Sequence, residues 1–389
     1  MHILVLPSWY PTTEAPQTGI YFAEQAQLLS ESGLQVGVVY PEQQSLRRLS
    51  WWALRHKHFQ TAWTNEEGLP TLRRYGWNVW WRFPAGLRHR IQSALDLTRR
   101  YIQRYGEPDL IHAHSTHWAG AAAASIRNEW SLPYVLTEHY SGFQEKNGIL
   151  SGRWSLIERG FRKACGVAAV STALRKAIVS HGVASTAEIE IHPNPVRASL
   201  FTLPPEERSA PPPFRVVTVA NLNEQKGISD LITAFAKTGM GSSFSLHIIG
   251  RGPQRSLLEQ QARRLGIAGQ TYFHGVQDRE TVRNALWDAH ALVLPSRHET
   301  FGVVLIEALA TGLPVIATRS GGPEEIVTPT TGLLVSPRAP AILADALCTL
   351  RRTWDTYQAP IIRSHTLNRF GPIPFLRRTK TFYRDALQE

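Results

Sequence analysis

Glu299 and Glu307 stand with seven residues between them, and Phe301-Gly302 lies inside that interval. The residues just upstream, Ala291-Leu292-Val293-Leu294, form a short apolar run that predicts a buried parallel strand. Downstream, the spacing predicts a helix that starts near Phe301, carries Glu307 and stops at Gly312 and Pro314, before another strand-like run, Val315-Ile316-Ala317. The unit is therefore strand, loop, helix, strand. Ligands of open parallel sheets bind beyond the carboxyl ends of the strands, which is where Glu299 falls. Gly302 lets a ligand approach the backbone, and the free N–H groups of a first helical turn attract an anion. Two carboxylates flanking an anion site suit a molecule with hydroxyls at both ends and phosphate in the middle, such as a sugar nucleotide. A surface carboxylate on an ordinary amphipathic helix explains either Glu alone, but not the whole stretch.

The rest of the chain supplies elements that would position such a site. Met1-His2-Ile3-Leu4-Val5-Leu6 predicts an opening strand, followed by a loop through Pro7, Pro11, Pro16 and Gly19, a helix from Ile20, a stop at Gly33 and a second strand from Gln35 to Tyr40. That loop has no G-x-G-x-x-G, so the dinucleotide fingerprint is missing. Asp109 to His114 and Tyr134 to His139 each read as a strand running into a loop, so His112, His114, Glu138 and His139 fall at strand ends. No H-E-x-x-H or Cys/His spacing makes them a metal site. Val167 to Val170 and Ile189 to Ile191 read as two more strands. The prolines among residues 202–213 predict a semi-rigid linker. The second half restarts at Phe214 and runs into Asn221 and Lys226-Gly227. Ser245 to Ile249 then leads to Gly250-Arg251, and Thr271 to Val276 follows.

Composition bounds the function. A chain of 389 residues suits two domains, and its balance is that of a globular protein. No apolar run approaches the ~20 residues of a membrane span, and no signal peptide is expected ahead of the first strand. Cys165 and Cys348 are too few and too far apart for a disulfide framework or a zinc site. The net charge is +11, and residues 46–104 hold twelve Lys/Arg against three acids, or +9. Within that window Arg47, Arg48, Trp51, Trp52, Arg55, Lys57, Trp80 and Trp81 mix bases with aromatics. Basic residues draw a surface to anionic lipid and Trp anchors at headgroup level, which makes this window a membrane-contact candidate. The same composition suits single-stranded nucleic acid, or a solvated basic face with core tryptophans.

Glu299 and Glu307 around Phe301-Gly302, with Glu307-Ala308 before Gly312-Leu313-Pro314-Val315, resemble the signature of glycosyltransferase family 4. The resemblance implies an α/β protein of GT-B fold: two facing doubly wound, Rossmann-like domains with an interdomain cleft. Residues 1–200 would be the acceptor domain, 214–370 the nucleotide-sugar domain, and the tail 371–389 would cross back onto the first. It further implies that Glu299 binds hydroxyls of the donor sugar and Glu307 the ribose. The backbone at Val303 and Val304 would hold the diphosphate, together with Lys226 and the Gly19 loop. Gly250 and Arg251 would lie near the nucleotide, Val276 beside the base and His139 beside the reacting sugar. His112, His114 and Glu138 are acceptor-side candidates. Two positions depart from the pattern: Asn221 stands where the family has Arg, and Asn194-Pro195 where it has Asn-Gly. Asn carries no charge, so phosphate binding should lean on Lys226 and the helix N-terminus.

The expected function is retaining, metal-independent transfer from a nucleoside diphosphate sugar to an acceptor hydroxyl, with no cofactor and no nucleic-acid partner. The basic-aromatic window points to a lipid-linked or glycan acceptor and to a cytoplasmic protein peripheral at the inner membrane face. The rivals are another GT-B enzyme, such as a nucleotide-sugar epimerase or a sugar phosphorylase, and a non-catalytic membrane or nucleic-acid adaptor. Neither rival needs both the paired glutamates and the basic-aromatic window.

Overall fold

Short apolar runs separated by amphipathic stretches dictate alternating strands and helices, and the computed structural model has them in two units. It describes residues 1–45, 51, 55, 58–66, 68–77, 84–144, 153–185, 188–208 and 213–388. Unit 1 comprises Met1–Val170, Leu174–Pro193 and Phe375–Glu389; unit 2 comprises Ser171–Ala173 and Asn194–Pro374. The division falls at Pro193/Asn194, ahead of the proline-rich stretch. The described part of that stretch belongs to unit 2, where the Trp287 indole donates to Thr202 O at 2.7 Å.

Unit 1 opens with β1 (His2–Pro7), α1 (Ile20–Glu31) and β2 (Gln35–Gln44), then β3 (Thr61–Glu66) and β4 (Leu69–Trp77). Next come α2 (Pro84–Tyr105), β5 (Leu110–His114), α3 (Ala119–Trp130), β6 (Tyr134–Glu138), α4 (Trp154–Arg162), β7 (Gly166–Ala169), α5 (Thr172–Ser180) and β8 (Ile189–Ile191). Its described strands are ordered β3-β4-β2-β1-β5-β6-β7-β8, and every pair is parallel except β3–β4. The chain leaves β1 toward β2 on one side and returns to β5 on the other. The gap between the carboxyl ends of β1 and β5 is thus the switch point, where ligands of such sheets bind.

Part of the basic-aromatic window folds into the β3–β4 pair instead of lying on the surface. Arg73 is buried and bonded to Glu42 at 3.2 Å and Glu66 at 2.6 Å. Arg74 and Arg99 share Asp96 at 3.2 and 3.5 Å. Trp77 is buried and donates to His58 Nδ1 at 3.0 Å. Partners on neighbouring elements thus neutralise several of these charges. Trp51 is 90% exposed and Arg55 is exposed. Arg47, Arg48, Trp52, Lys57, Trp80 and Trp81 lie outside the described residues.

Unit 2 runs β9 (Phe214–Val219), α6 (Ile228–Lys237), β10 (Phe244–Ile249), α7 (Arg255–Arg264), β11 (Thr271–Gly275), α8 (Arg279–Asp288), β12 (Ala291–Leu294), α9 (Val303–Ala310), β13 (Val315–Thr318) and β14 (Gly332–Val335). Three helices close it: α10 (Pro340–Arg352), α11 (Ala359–Phe370) and α12 (Pro372–Ala386), the last belonging to unit 1 from Phe375 on. The described strands, all parallel, are ordered β11-β10-β9-β12-β13-β14, so the switch point lies between β9 and β12. Ile228, Leu231, Ile232 and Phe235 make one face of α6 and sit in the core. Each such side chain contributes about 1.5–3 kcal/mol by leaving water. No described helix is long and apolar enough to cross a membrane. Cys165 and Cys348 are free thiols.

Two long-range ties bear on topology. Val196 N–H donates to Phe370 O at 2.8 Å, joining the two ends of unit 2. In unit 1, α12 buries Phe375, Phe382 and Tyr383, sets the Phe382 ring 4.5 Å from that of His192, and reaches Ser32 O with Lys380 Nζ at 3.1 Å.

Candidate active site

In unit 2 the site grows from the loop that follows β12. Glu299 N–H donates to Ser320 O at 3.0 Å, and its carbonyl accepts from Gly322 N–H at 2.9 Å, which ties this loop to the one after β13. Its largely buried carboxylate accepts from Lys226 Nζ at 2.6 Å and Ser296 Oγ at 3.1 Å. Lys226 sits on a single turn, Glu224–Lys226, that follows β9 and is capped by Asn223. Arg297 holds that turn against the Glu299 loop: it contacts Glu224 at 2.6 Å and Asp230 at 3.4 Å, and its N–H donates to Gln225 O at 2.6 Å. The resemblance gave Glu299 to the donor sugar and Lys226 to the diphosphate; here they are one ion pair. A ligand phosphate at Lys226 and a ligand hydroxyl at Glu299 therefore act on coupled groups.

The helix begins at Val303, two residues later than its spacing predicts, because Gly302 has φ 98° and caps it from outside. Phe301 is instead buried, 5.7 Å from the Phe370 ring. Val303 and Val304 are half-buried in the first turn, whose N–H groups have no partner within the helix. Glu307, one turn on, is buried and paired with Arg279 Nη1 at 2.5 Å. Arg279 opens α8 behind its Asp278 cap and lies 4.8 Å from the Phe201 ring. Neither Arg279 nor Arg297 was singled out from the sequence. A buried carboxylate needs a partner, but nothing local identifies an arginine 28 residues away. Gly250 N–H donates to Gly275 O at 2.7 Å, and Arg251 O accepts from Leu222 N–H at 2.8 Å. Asn221, Arg251 and Val276 are exposed.

In unit 1, Gly19 caps α1 with φ 70°, and a Cβ there would lie 2.6 Å from Trp9 O, so the loop admits only glycine without shifting. His112 bonds Tyr383 Oη at 2.7 Å through Nδ1 and Thr137 Oγ1 at 2.8 Å through Nε2. With both nitrogens used and the ring buried, it ties the C-terminal helix to the sheet. Glu138, another acceptor-side candidate, is held in a network of its own. It is fully buried and accepts from Ser115 Oγ, Thr116 N–H and Oγ1, His139 N–H and Tyr140 N–H at 2.5–2.8 Å. His114 Nδ1 lies 3.2 Å from His139 Nε2, while the buried His139 Nδ1 has no hydrogen-bond partner. Burial, then the neighbouring His112, lowers His139 to about 3, so its ring is neutral at physiological pH. Burial also holds His112 and His114 well below the ordinary range. The described residues contain no group of three or more His, Cys, Asp or Glu able to hold a metal.

The chain matches the family described as Glycosyltransferase Family 4 over residues 18–200, and Glycosyl transferases group 1 over residues 202–362. It is 30% identical over 364 residues to the "Putative teichuronic acid biosynthesis glycosyltransferase TuaC" of Bacillus subtilis, covering 89% of this chain and 88% of that one. The chain belongs to the family 4 glycosyltransferases. This glycosyltransferase is also 29% identical over 227 residues to the lipopolysaccharide 1,6-galactosyltransferase of Salmonella typhimurium, 57% of this chain and 62% of that one. Among solved structures it shares its fold with sucrose-phosphate synthase from Thermosynechococcus elongatus, at TM-score 0.79, 21% identity and full coverage of both chains. Anabaena HepE in complex with UDP and glucose aligns at TM-score 0.74 and 19% identity over 98% of each chain. The fold is GT-B, with two α/β units on Rossmann-like parallel sheets.

Proposed function

We propose that this glycosyltransferase moves a sugar, with retention and without metal, from a nucleoside diphosphate sugar to a hydroxyl of a lipid-linked or glycan acceptor. The observation that carries this reading is the Lys226–Glu299 pair at the switch point of unit 2, near the Gly302-capped helix that holds Glu307. In this mechanism Glu299 holds sugar hydroxyls, Glu307 the ribose, and Lys226 with the first turn of α9 the diphosphate. Gly250, Arg251 and Val276 border the nucleotide, and Gly19 lets its loop approach the phosphates. The bond from the anomeric carbon to the diphosphate oxygen breaks, and one to the acceptor oxygen forms on the same face. The acceptor proton passes to the departing diphosphate. Positive charge aimed at the leaving group is the main source of rate. His139, neutral with an open Nδ1, is suited to hydrogen-bond a sugar hydroxyl.

The acceptor class is supported by the exposed Trp51 and Arg55 and by relatives named for envelope polymers. Each basic residue near an anionic surface contributes about 1 kcal/mol, and salt screens it. The deciding experiment incubates the protein with a panel of nucleotide sugars, with and without EDTA, and reads the anomeric configuration of the product by NMR. Release of diphosphate with an α-donor giving an α-product, unchanged by EDTA, is expected. Inversion, loss of activity in EDTA, or an epimerised nucleotide sugar as sole product overturns the reading. Sedimentation with anionic vesicles at low salt tests the membrane contact separately, and no binding there makes a non-membrane acceptor the better account.

A further inference from the structure

Two arginines in unit 1 are treated differently, Arg73 buried and Arg90 half-buried. Arg73 has two carboxylate partners, Glu42 and Glu66. Arg90, on α2, has none among the described residues, and its Nε is sealed from water without a hydrogen-bond partner. The Trp118 ring lies 4.6 Å from its guanidinium carbon and the Tyr40 ring 5.9 Å, and the Tyr40 hydroxyl accepts a hydrogen bond from the guanidinium. A second cation adds to the first: Arg153, just before α4, donates through Nη1 to His117 Nε2 at 3.3 Å. His117 stacks on Trp9 at 5.4 Å and lies 5.4 Å from the Tyr140 ring. These groups come from the segments after β1, β5 and β6 and from α2, around the carboxyl ends of the central strands. Burial, Arg153 and Arg90 together push His117 down to about 3, and burial lowers Arg90 against the opposing pull of Tyr40, with Arg153 adding a little.

A cation stripped of water without a counter-charge destabilises the protein unless something else supplies the charge. Aromatic faces and a neutral hydroxyl offset only part of that cost. The planar guanidinium fork is shaped for a two-oxygen anion, and Arg153 and His117 can converge on the same group. We propose that Arg90, with Arg153 and His117, forms an oxyanion subsite in unit 1 that recognises a phosphate or carboxylate group carried by the acceptor. The proposal rests on the reading that unit 1 takes the acceptor.

The test uses the full chain, with inorganic phosphate and D-glucuronate as separate probes. His117 is followed by imidazole NMR and assigned with His117→Gln. Saturable movement of the His117 resonance, with its pKa rising from about 3, is expected for at least one probe, and the stronger probe separates a phosphate source from a sugar acid. Arg90→Met and Arg153→Met should each weaken that binding by about tenfold or more. Arg90→Met should melt no lower than the wild type, since it removes a charge without a counter-ion. Two results overturn the proposal: a His117 resonance indifferent to both probes, or anion binding that survives Arg90→Met. A lower melting temperature with intact anion binding makes Arg90 a packing residue. Calorimetry with UDP, GDP and ADP runs beside these arms. If no nucleotide binds the wild type, the donor reading fails on its own account. If a nucleotide binds while His117 is indifferent, only the subsite fails.

Discussion

The strand ends of the two units handle ionisable groups in opposite ways. In unit 2, Glu299 meets Lys226, Glu307 meets Arg279, and Arg297 meets Glu224 and Asp230. In unit 1, Glu138 is surrounded by five neutral donors, and His112, His114 and His139 are kept neutral by burial. Ion pairs can exchange one partner for a charged or hydroxylated ligand at modest cost, because both members stay compensated. A saturated hydrogen-bond network cannot, since displacing a buried donor leaves it unpaired. Unit 2 is therefore built for exchange at its strand ends, while the Glu138 and histidine network of unit 1 is built for fixed shape, with His139 Nδ1 as its one buried, unpartnered ring nitrogen among the described residues.

The contrast breaks first at Lys226. Lys226→Ala should lower kcat/KM by about 10²–10³, the loss typical of one leaving-group stabiliser. A variant with intact kcat/KM in the transfer assay would mean that the exchangeable pair is not where the diphosphate is held. Glu299→Ala sharpens the same point. It releases Lys226, so affinity for the bare nucleoside diphosphate by calorimetry should hold or rise while turnover falls about tenfold or more.

Next is Arg279→Ala, which strands Glu307 with its side chain 6% exposed. A loss of about 2–3 kcal/mol is expected in urea unfolding, and Glu307→Gln added to it should restore most of that. Additive losses would show that the two do not act as a pair.

The third test is pH. Folded-state values below the ordinary 6.5 mean that the unfolded chain binds more protons beneath that pH. Stability is therefore lost as pH falls from about 6.5, by up to about 1.4 kcal/mol per pH unit for each such histidine. Melting at pH 7 against pH 5 should show it, and His139→Gln should flatten the slope. A flat profile between these values would dismiss the neutral cluster. The smallest effect is that of Tyr383→Phe, about 1 kcal/mol for one hydrogen bond to His112. Its measure is a shift in urea midpoint with the m-value unchanged.

What the sequence conveyed divides along contact range. Alternating apolar runs and their glycine stops made the α/β architecture readable, because burial and chain reversal are local demands. The stretch around Glu299 to Gly312 was readable as strand, loop and helix for the same reason, because their positions follow from spacing. The helix start was misplaced by two residues because φ at Gly302 is set by its surroundings. Arg279 and Arg297 were invisible because their partners lie 28 and 67–73 residues away. The strand-end positions of His112 and Glu138 were readable, and their saturated hydrogen bonding was not, because the partners Tyr383 and Thr116 come from other segments. The bases at Arg73 and Arg74 looked like surface charge because Glu42 and Asp96 come from other elements.

The tie between Val196 and Phe370 has a consequence for how the protein is made. His112 and Tyr383 are 271 residues apart, so on an unfolded chain their meeting would require closing a very long loop. Unit 2 is threaded through unit 1 as an inserted domain, and its own two ends are bonded to each other. Once it folds, the loop between His112 and Tyr383 is shortened by all the residues between Val196 and Phe370, which lowers the entropic cost of closing it. During synthesis most of unit 1 emerges before unit 2, yet its last helix emerges only after it.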